Sequence, residues 1–338
     1  MIEMHAPPAQ RAALPAELRG LRRDAARMCV VERSSGRISH STVARLGEHL
    51  GAGDVLVVNS SRTLPAALRV ARADGSGVQL RPAVMRRRSW DALAVEPQPP
   101  HRNVRVGDGE VLRAEDGLVL RAGRARGDAP LLRRFSIERG DATESLLRHG
   151  EPIRYSYVPD PVALEHYQTV YARVPGSVET PSAGRHLTWE LLRGLRRRGV
   201  VITDVVLHCT ISSLQDDEAD ERKPLLEEWF SVDRAAAAAV DRASRVVAVG
   251  TSVVRALESS LDSQGRSVAR RGWTSLAIAP HTAVRAVDAL LTGLHESPAS
   301  HLDMLGAFVE PALLERAYAE ARERGYLWHE FGDTMLLI

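Results

Sequence analysis

The chain has 338 residues, a formal net charge of +2, 44% hydrophobic residues and 26% charged ones. That balance is ordinary for a globular protein of about two domains, and it excludes a disordered chain, a collagen-like fibre and a coiled coil. Two cysteines, Cys29 and Cys209, exclude a disulfide framework and a four-cysteine zinc site, and no apolar run approaches the ~20 residues of a membrane span.

The opening stretch, Met1-Ile2-Glu3-Met4-His5, has no basic segment leading into an apolar one, so no signal peptide is expected and a reducing, cytoplasmic compartment is. Asp54-Val55-Leu56-Val57-Val58-Asn59, an apolar run behind Gly51-Ala52-Gly53, predicts a buried strand. From Arg69 to Gly150 the texture changes. Short alternating stretches such as Val78-Gln79-Leu80-Arg81 and Leu118-Val119-Leu120-Arg121 are cut by Gly and Asp, which predicts a small all-β unit. That unit holds sixteen arginines against eleven acidic residues, with clusters at Arg86-Arg87-Arg88 and at Arg121, Arg124 and Arg126. Such an excess fits either a polyanion footprint or a solvated surface. Lys223 is the single lysine, so the cations are almost all arginines. A guanidinium grips phosphate in two-pronged fashion, although a GC-rich gene gives the same bias.

Beyond residue 150 the pattern is mixed α/β. Thr188 is placed to cap a helix carrying Leu191, Leu192 and Leu195 and stopped by Gly199. Val200 to His208 reads as a strand, Ala235–Ala239 as part of a helix, and Arg245 to Gly250 as a buried strand. A further helix runs from Pro311 through Leu314 and Tyr318 to Gly325. The acidic run Asp216–Glu221 reads as a solvated loop.

Three segments are candidates for chemistry. The strand ending at Gly250 turns through Thr251-Ser252 into a helix, and free N–H groups at such a corner attract anions. The Gly-, Ser- and Pro-rich stretch Gly176–His186 is a loop ending at a histidine. His208 sits at a strand end and titrates near neutral pH when unperturbed. Each also has a plain packing explanation. No metal is expected: the spacing of His186, His208 and His295 fits no ligand pattern.

Taken in order, these segments resemble the S-adenosylmethionine:tRNA ribosyltransferase-isomerase family of queuosine biosynthesis. The blocks are Gly53–Asn59, Tyr167-Gln168-Thr169-Val170-Tyr171, Thr180-Pro181-Ser182-Ala183-Gly184-Arg185-His186, Leu207-His208, Ala248-Val249-Gly250-Thr251 with Arg255 and Glu258, and Gly332-Asp333-Thr334-Met335. The resemblance implies an α/β main domain, residues 1–68 and 151–338, carrying the donor and catalytic site. It also implies an inserted small β-barrel, residues 69–150. It implies S-adenosylmethionine as ribosyl donor and a 7-aminomethyl-7-deazaguanine base in tRNA as acceptor, with epoxyqueuosine formed and adenine and methionine released. A monomer without a membrane partner is expected. Ribosyl transfer to a small molecule, or a non-catalytic RNA-binding relative, are the alternatives.

By position, the resemblance implies catalytic roles for His186, His208, Glu228 and Arg255. His186 or His208 would carry protons, and Arg255 would clamp a carboxylate or phosphate. It implies substrate-binding roles for Asn59, Arg62, Tyr167, Gln168, Thr169, Ser182, Gly184, Gly250, Thr251, Ser252, His295 and Asp333. The chain departs from the family pattern at several places. Ala67 stands where an arginine is usual. Cys209-Thr210-Ile211-Ser212-Ser213-Leu214 replaces a glycine-rich stretch. Leu226-Glu227-Glu228-Trp229 replaces His-x-Glu-Tyr, Pro152-Ile153-Arg154-Tyr155-Ser156-Tyr157 replaces Pro-Leu-Pro-Pro-Tyr-Ile, and Thr292–Pro298 carries an extra residue.

Overall fold

The computed structural model of the protein describes residues 4–155, 157–296 and 300–338. Met1, Ile2 and Glu3 of the opening stretch, and Ser156, Ser297 and Pro298 of two family-like blocks, lie outside the described residues. In chain order the first strands are β1 (Arg27–Glu32), β2 (Arg37–Thr42), β3 (Asp54–Asn59) and β4 (Ser61–Thr63). Six more follow: β5 (Leu68–Ala71), β6 (Gly77–Arg86), β7 (Ser89–Val95), β8 (Val111–Arg113), β9 (Val119–Arg126) and β10 (Ala129–Arg139). Then come α1 (Ala142–His149), β11 (Val174–Ser177), α2 (Trp189–Arg197), β12 (Val201–Leu207), α3 (Asp217–Glu221), β13 (Glu228–Val232) and α4 (Arg234–Asp241). The chain ends with β14 (Arg245–Val249), α5 (Thr251–Ser260), β15 (Arg270–Thr274), β16 (Ala289–Gly293), α6 (Ser300–Gly306), α7 (Pro311–Glu323) and β17 (Thr334–Leu337).

Among the described residues, nine strands form one mixed sheet in the order β15-β13-β12-β3-β14-β16-β17-β1-β2. Its centre is parallel: β12, β3, β14 and β16 run the same way. Every residue of β3 is buried, as a parallel strand covered on both faces requires. Val55 and Val57 join the core cluster that includes residues of α4, α5 and α7. Leu56 and Val58 face the other way, with Leu192 and Leu195 of α2. Two hydrophobic cores therefore flank the sheet. None of the helices among the described residues is long and apolar enough to cross a membrane.

Strands β10-β7-β6-β5-β8-β9 close into an antiparallel barrel with its own core, including Trp90, Leu93, Leu120 and Phe135. The α/β main unit and the all-β barrel are those that the sequence predicts. Loop residues Ile211, Leu214 and Leu226 of the main unit also belong to the barrel's core cluster. Local signals are met closely. The Thr188 hydroxyl accepts the Leu191 N–H at 3.1 Å to cap α2, and Gly199 turns the chain at φ +85°. The acidic run departs from its reading as a loop: Asp216 caps the short helix α3 by accepting the Ala219 N–H at 2.9 Å.

Candidate active site

Strands β3, β12 and β14 end side by side at Asn59, Leu207 and Val249. The carboxyl ends of parallel strands are where open α/β sheets place ligands. Asn59 clips these ends together. Its amide donates to the Leu207 carbonyl at 2.8 Å and to the Ser252 hydroxyl at 3.1 Å, and its Oδ1 accepts the Leu207 N–H at 3.0 Å. Beside it, Gly250 takes φ +91° and leads into α5. A Cβ there would stand 3.3 Å from the Ala183 Cβ, so the Pro181–His186 loop packs directly on this corner. The loop, the His208 strand end and the Gly250 corner thus meet.

His208 leaves the end of β12 on the face opposite Leu207. Its Nδ1 is 2.7 Å from the Ser61 hydroxyl, which in turn lies 2.7 Å from the Ser177 hydroxyl. The Cys209 N–H donates to Ser177 at 3.0 Å, closing the chain of contacts. The His208 ring stacks on Trp229, with centroids 5.2 Å apart. Its other edge passes so close to Gly176 that a Cβ there would lie 2.4 Å from Nε2. Burial holds the ring well below its usual range, at about 4, so it is neutral at physiological pH.

His208 lines a cleft of about 710 Å³ between the sheet edge and the barrel. That volume suits a small molecule. The main unit supplies Gly176, Val178, Thr210, Glu228, Trp229 and Trp273; the barrel supplies Met85, Arg86, Arg87 and Trp90. Three of the five tryptophans therefore gather here. Glu228 is 8% exposed and forms an ion pair with Arg255 of α5. Its Oε1 accepts the Thr210 N–H at 2.8 Å. Burial pushes its carboxyl up, and Arg255 pulls it back. The remaining Arg255 donors go to the carbonyls of Leu276 and Thr274, so this guanidinium braces the wall from behind.

The other candidates stand further back. His186 is buried with Nδ1 unpartnered, and burial together with the neighbouring Arg185 charge lowers it to about 3. Gly184 accommodates Tyr171: a Cβ would sit 1.9 Å from its hydroxyl oxygen. Gln168 stitches to β4, accepting the Thr63 N–H at 3.1 Å and donating to its carbonyl at 2.8 Å. Tyr167 is buried with an unpartnered hydroxyl, and Thr169 is buried beside the Tyr171 hydroxyl. Ser182 lies in the loop that packs on the corner, and Thr251 is buried in the first turn of α5. Arg62 is exposed on β4. His295 bonds Thr292 at 2.9 Å and stacks on His301. The Asp333 carboxylate is filled by Arg27 and by the Leu327 N–H at 2.8 Å. His208 and Glu228 line the cleft; His186, Arg255, His295 and Asp333 do not. The tryptophan–arginine wall was visible in the sequence only as the isolated Arg86–Arg88 cluster.

The queuosine biosynthesis protein family model matches residues 3–337. The chain is 38% identical to the S-adenosylmethionine:tRNA ribosyltransferase-isomerase of Rubrobacter xylanophilus, over 96% of this chain and 95% of the relative. It is 36% identical to the enzyme of that name from Thermus thermophilus, over 99% and 98%. The crystal structure of the S-adenosylmethionine tRNA ribosyltransferase of Thermotoga maritima superposes with a TM-score of 0.55 at 27% identity, covering 99% of each chain. The chain belongs to the queuosine biosynthesis protein family.

As a family member it holds the glycine-free segment Cys209–Leu214 in place by other means. The Lys223 ammonium donates to the carbonyls of Ile211 and Ser212 at 2.8 and 2.6 Å. Glu179, beside the Thr180–His186 block, accepts the Ser212 N–H at 2.7 Å and a bond from the Tyr155 hydroxyl. One lysine and one carboxylate thus fix the segment behind His208.

Proposed function

We propose that this protein transfers the ribosyl group of S-adenosylmethionine to a 7-aminomethyl-7-deazaguanine base in tRNA and isomerises it, releasing adenine and methionine. The reaction needs a base beside the sulfonium, a water-poor site and a fixed sugar. His208 carries the reading: a neutral imidazole in the wall of a ligand-sized cleft, at the carboxyl end of a parallel strand. In the tautomer whose Nδ1–H goes to Ser61, Nε2 is the basic atom, and the missing side chain of Gly176 is what lets the ring sit there. We assign the donor to this inner end of the cleft and proton removal to His208. His186 has a positioning role, because it lies outside the cleft. Glu228 and Arg255 hold the wall. No metal takes part in this reading.

Residues 1–68 and 151–338 are assigned to the donor and catalytic unit and 69–150 to an inserted basic barrel. The protein acts as a cytoplasmic monomer in this proposal. The test is release of adenine from S-adenosylmethionine in the presence of tRNA carrying the aminomethyl-deazaguanine. Release that depends on the tRNA is expected from the wild type, and none from His208→Ala. A folded wild type that releases no adenine refutes the proposal.

A further inference from the structure

At the outer end of the cleft, aromatic and cationic side chains form a continuous row. Trp229 on β13 pairs directly across the strands with Trp273 on the edge strand β15. Residues paired in this way project on the same face of the sheet. The row therefore runs His208, Trp229, Trp273, and the Arg86 guanidinium of the barrel lies 5.2 Å from the Trp273 ring centroid. Trp273 is 42% exposed, unusual for so large an apolar side chain. Arg86 is held by Glu227 and by the buried Asp91, so its charge is already matched.

Around this exposed indole stand cations whose charge is not matched. Arg87 lines the cleft mouth, and Arg88 follows it in the β6–β7 turn. Arg271 lies two residues before Trp273 and so on the same strand face. All three are exposed. Among the described residues none of the three has an ion-pair partner or a side-chain hydrogen bond, whereas Arg86 beside them and barrel arginines such as Arg72, Arg121, Arg126, Arg133 and Arg134 are paired with Asp or Glu. The acids at the mouth are engaged: Glu227 with Arg86, and Asp141 in capping α1 through the Thr143 and Glu144 N–H groups at 2.9 and 3.0 Å.

Exposed aromatic surface beside unmatched guanidinium groups suits single-stranded RNA. Unpaired bases stack on aromatic rings while arginines take the backbone phosphates. We propose that the cleft mouth is the docking surface for the RNA loop that bears the acceptor base, with Trp273 stacking a neighbouring nucleotide and Arg87, Arg88 and Arg271 holding its phosphates. The acceptor base then enters past Trp229 toward His208. This inference rests on the tRNA reading above and assigns it a surface.

The experiment measures binding of tRNA and of S-adenosylmethionine separately, for the wild type, Trp273→Ala, Trp273→Phe and the double variant Arg87→Gln/Arg271→Gln. Losing one stacked base weakens RNA binding by roughly five-fold to a hundred-fold. Trp273→Ala is therefore expected to bind tRNA about ten-fold or more weakly, with Trp273→Phe keeping most of the affinity. Each phosphate contact on a single strand contributes about 0.7 to the slope of log affinity against log salt. The double variant is expected to flatten that slope by about 1.4. A melting temperature close to that of the wild type in all of them shows that the fold is retained. If the wild type binds tRNA and these variants bind it equally well with the same slope, the docking surface is refuted and the tRNA reading stands. If the folded wild type binds S-adenosylmethionine but no tRNA, the tRNA reading itself fails.

Discussion

A half-buried histidine wedged between the Ser61 hydroxyl and the Trp229 indole takes up a proton only by placing a charge where little water solvates it. Burial lowers the His208 value to about 4, from an unperturbed 6.5. As catalytic base, His208 should keep kcat/KM level from pH 8 down to about 5, with an acid limb centred near 4 rather than near 6.5. A pH–rate profile for tRNA-dependent adenine release checks this; a limb near 6.5 excludes His208 as the titrating base. The same shift acts on stability. The unfolded chain takes the proton first, so this group favours the fold fully above about pH 6.5, and its contribution falls as the pH drops toward 4. Gly184 gives a second prediction. A Cβ there would meet the Tyr171 hydroxyl at 1.9 Å, and overpacking of this kind costs about 1–3 kcal/mol. Gly184→Ala should lower the melting temperature, and adding Tyr171→Phe, which removes the oxygen, should restore part of the loss.

At the scale of elements, the ion pair between Glu228 on β13 and Arg255 on α5 ties the cleft wall to the helix that follows the Gly250 corner. Both side chains are at most 10% exposed, so removing one partner leaves a buried charge alone, at about 3–5 kcal/mol. Glu228→Gln is expected to destabilise by about that amount in denaturant unfolding. Glu228→Gln/Arg255→Met should then lose much less than the sum of the two single variants, because no stranded charge remains. An additive double variant would show that the pair is not coupled. The elements around this pair were legible in the sequence to different degrees. β3, β14 and α2 are read from local apolar runs and from Thr188 and Gly199. β2, with Arg37-Ile38-Ser39-His40-Ser41-Thr42, and β15, with Arg270-Arg271-Gly272-Trp273, are edge strands rich in polar residues, half-buried in most of β2 and exposed at both arginines of β15, and they carry no apolar run. The cleft was less legible still. Trp90, His208 and Trp273 meet only through pairings between distant strands, and no local pattern encodes those.

For the whole molecule, the decisive feature is where one hydrophobic core ends and the next begins. Barrel and main unit have separate strand sets, yet Ile211, Leu214 and Leu226 from the main unit are 3%, 1% and 2% exposed and lie within the barrel's core cluster. The segment behind His208 is therefore both a floor for the cleft and part of the barrel's packing. Separate cores would allow the two units to melt apart; a shared one couples them. Heating followed by calorimetry is expected to give a single transition. Leu214→Ala removes a buried side chain at a cost of about 2–5 kcal/mol. If the packing is shared, it should lower that one transition as a whole and also weaken tRNA-dependent turnover, since His208 is mounted on the same segment. Two transitions, with Leu214→Ala moving only one of them, would show instead that the barrel folds alone and that the cleft lies between independent bodies.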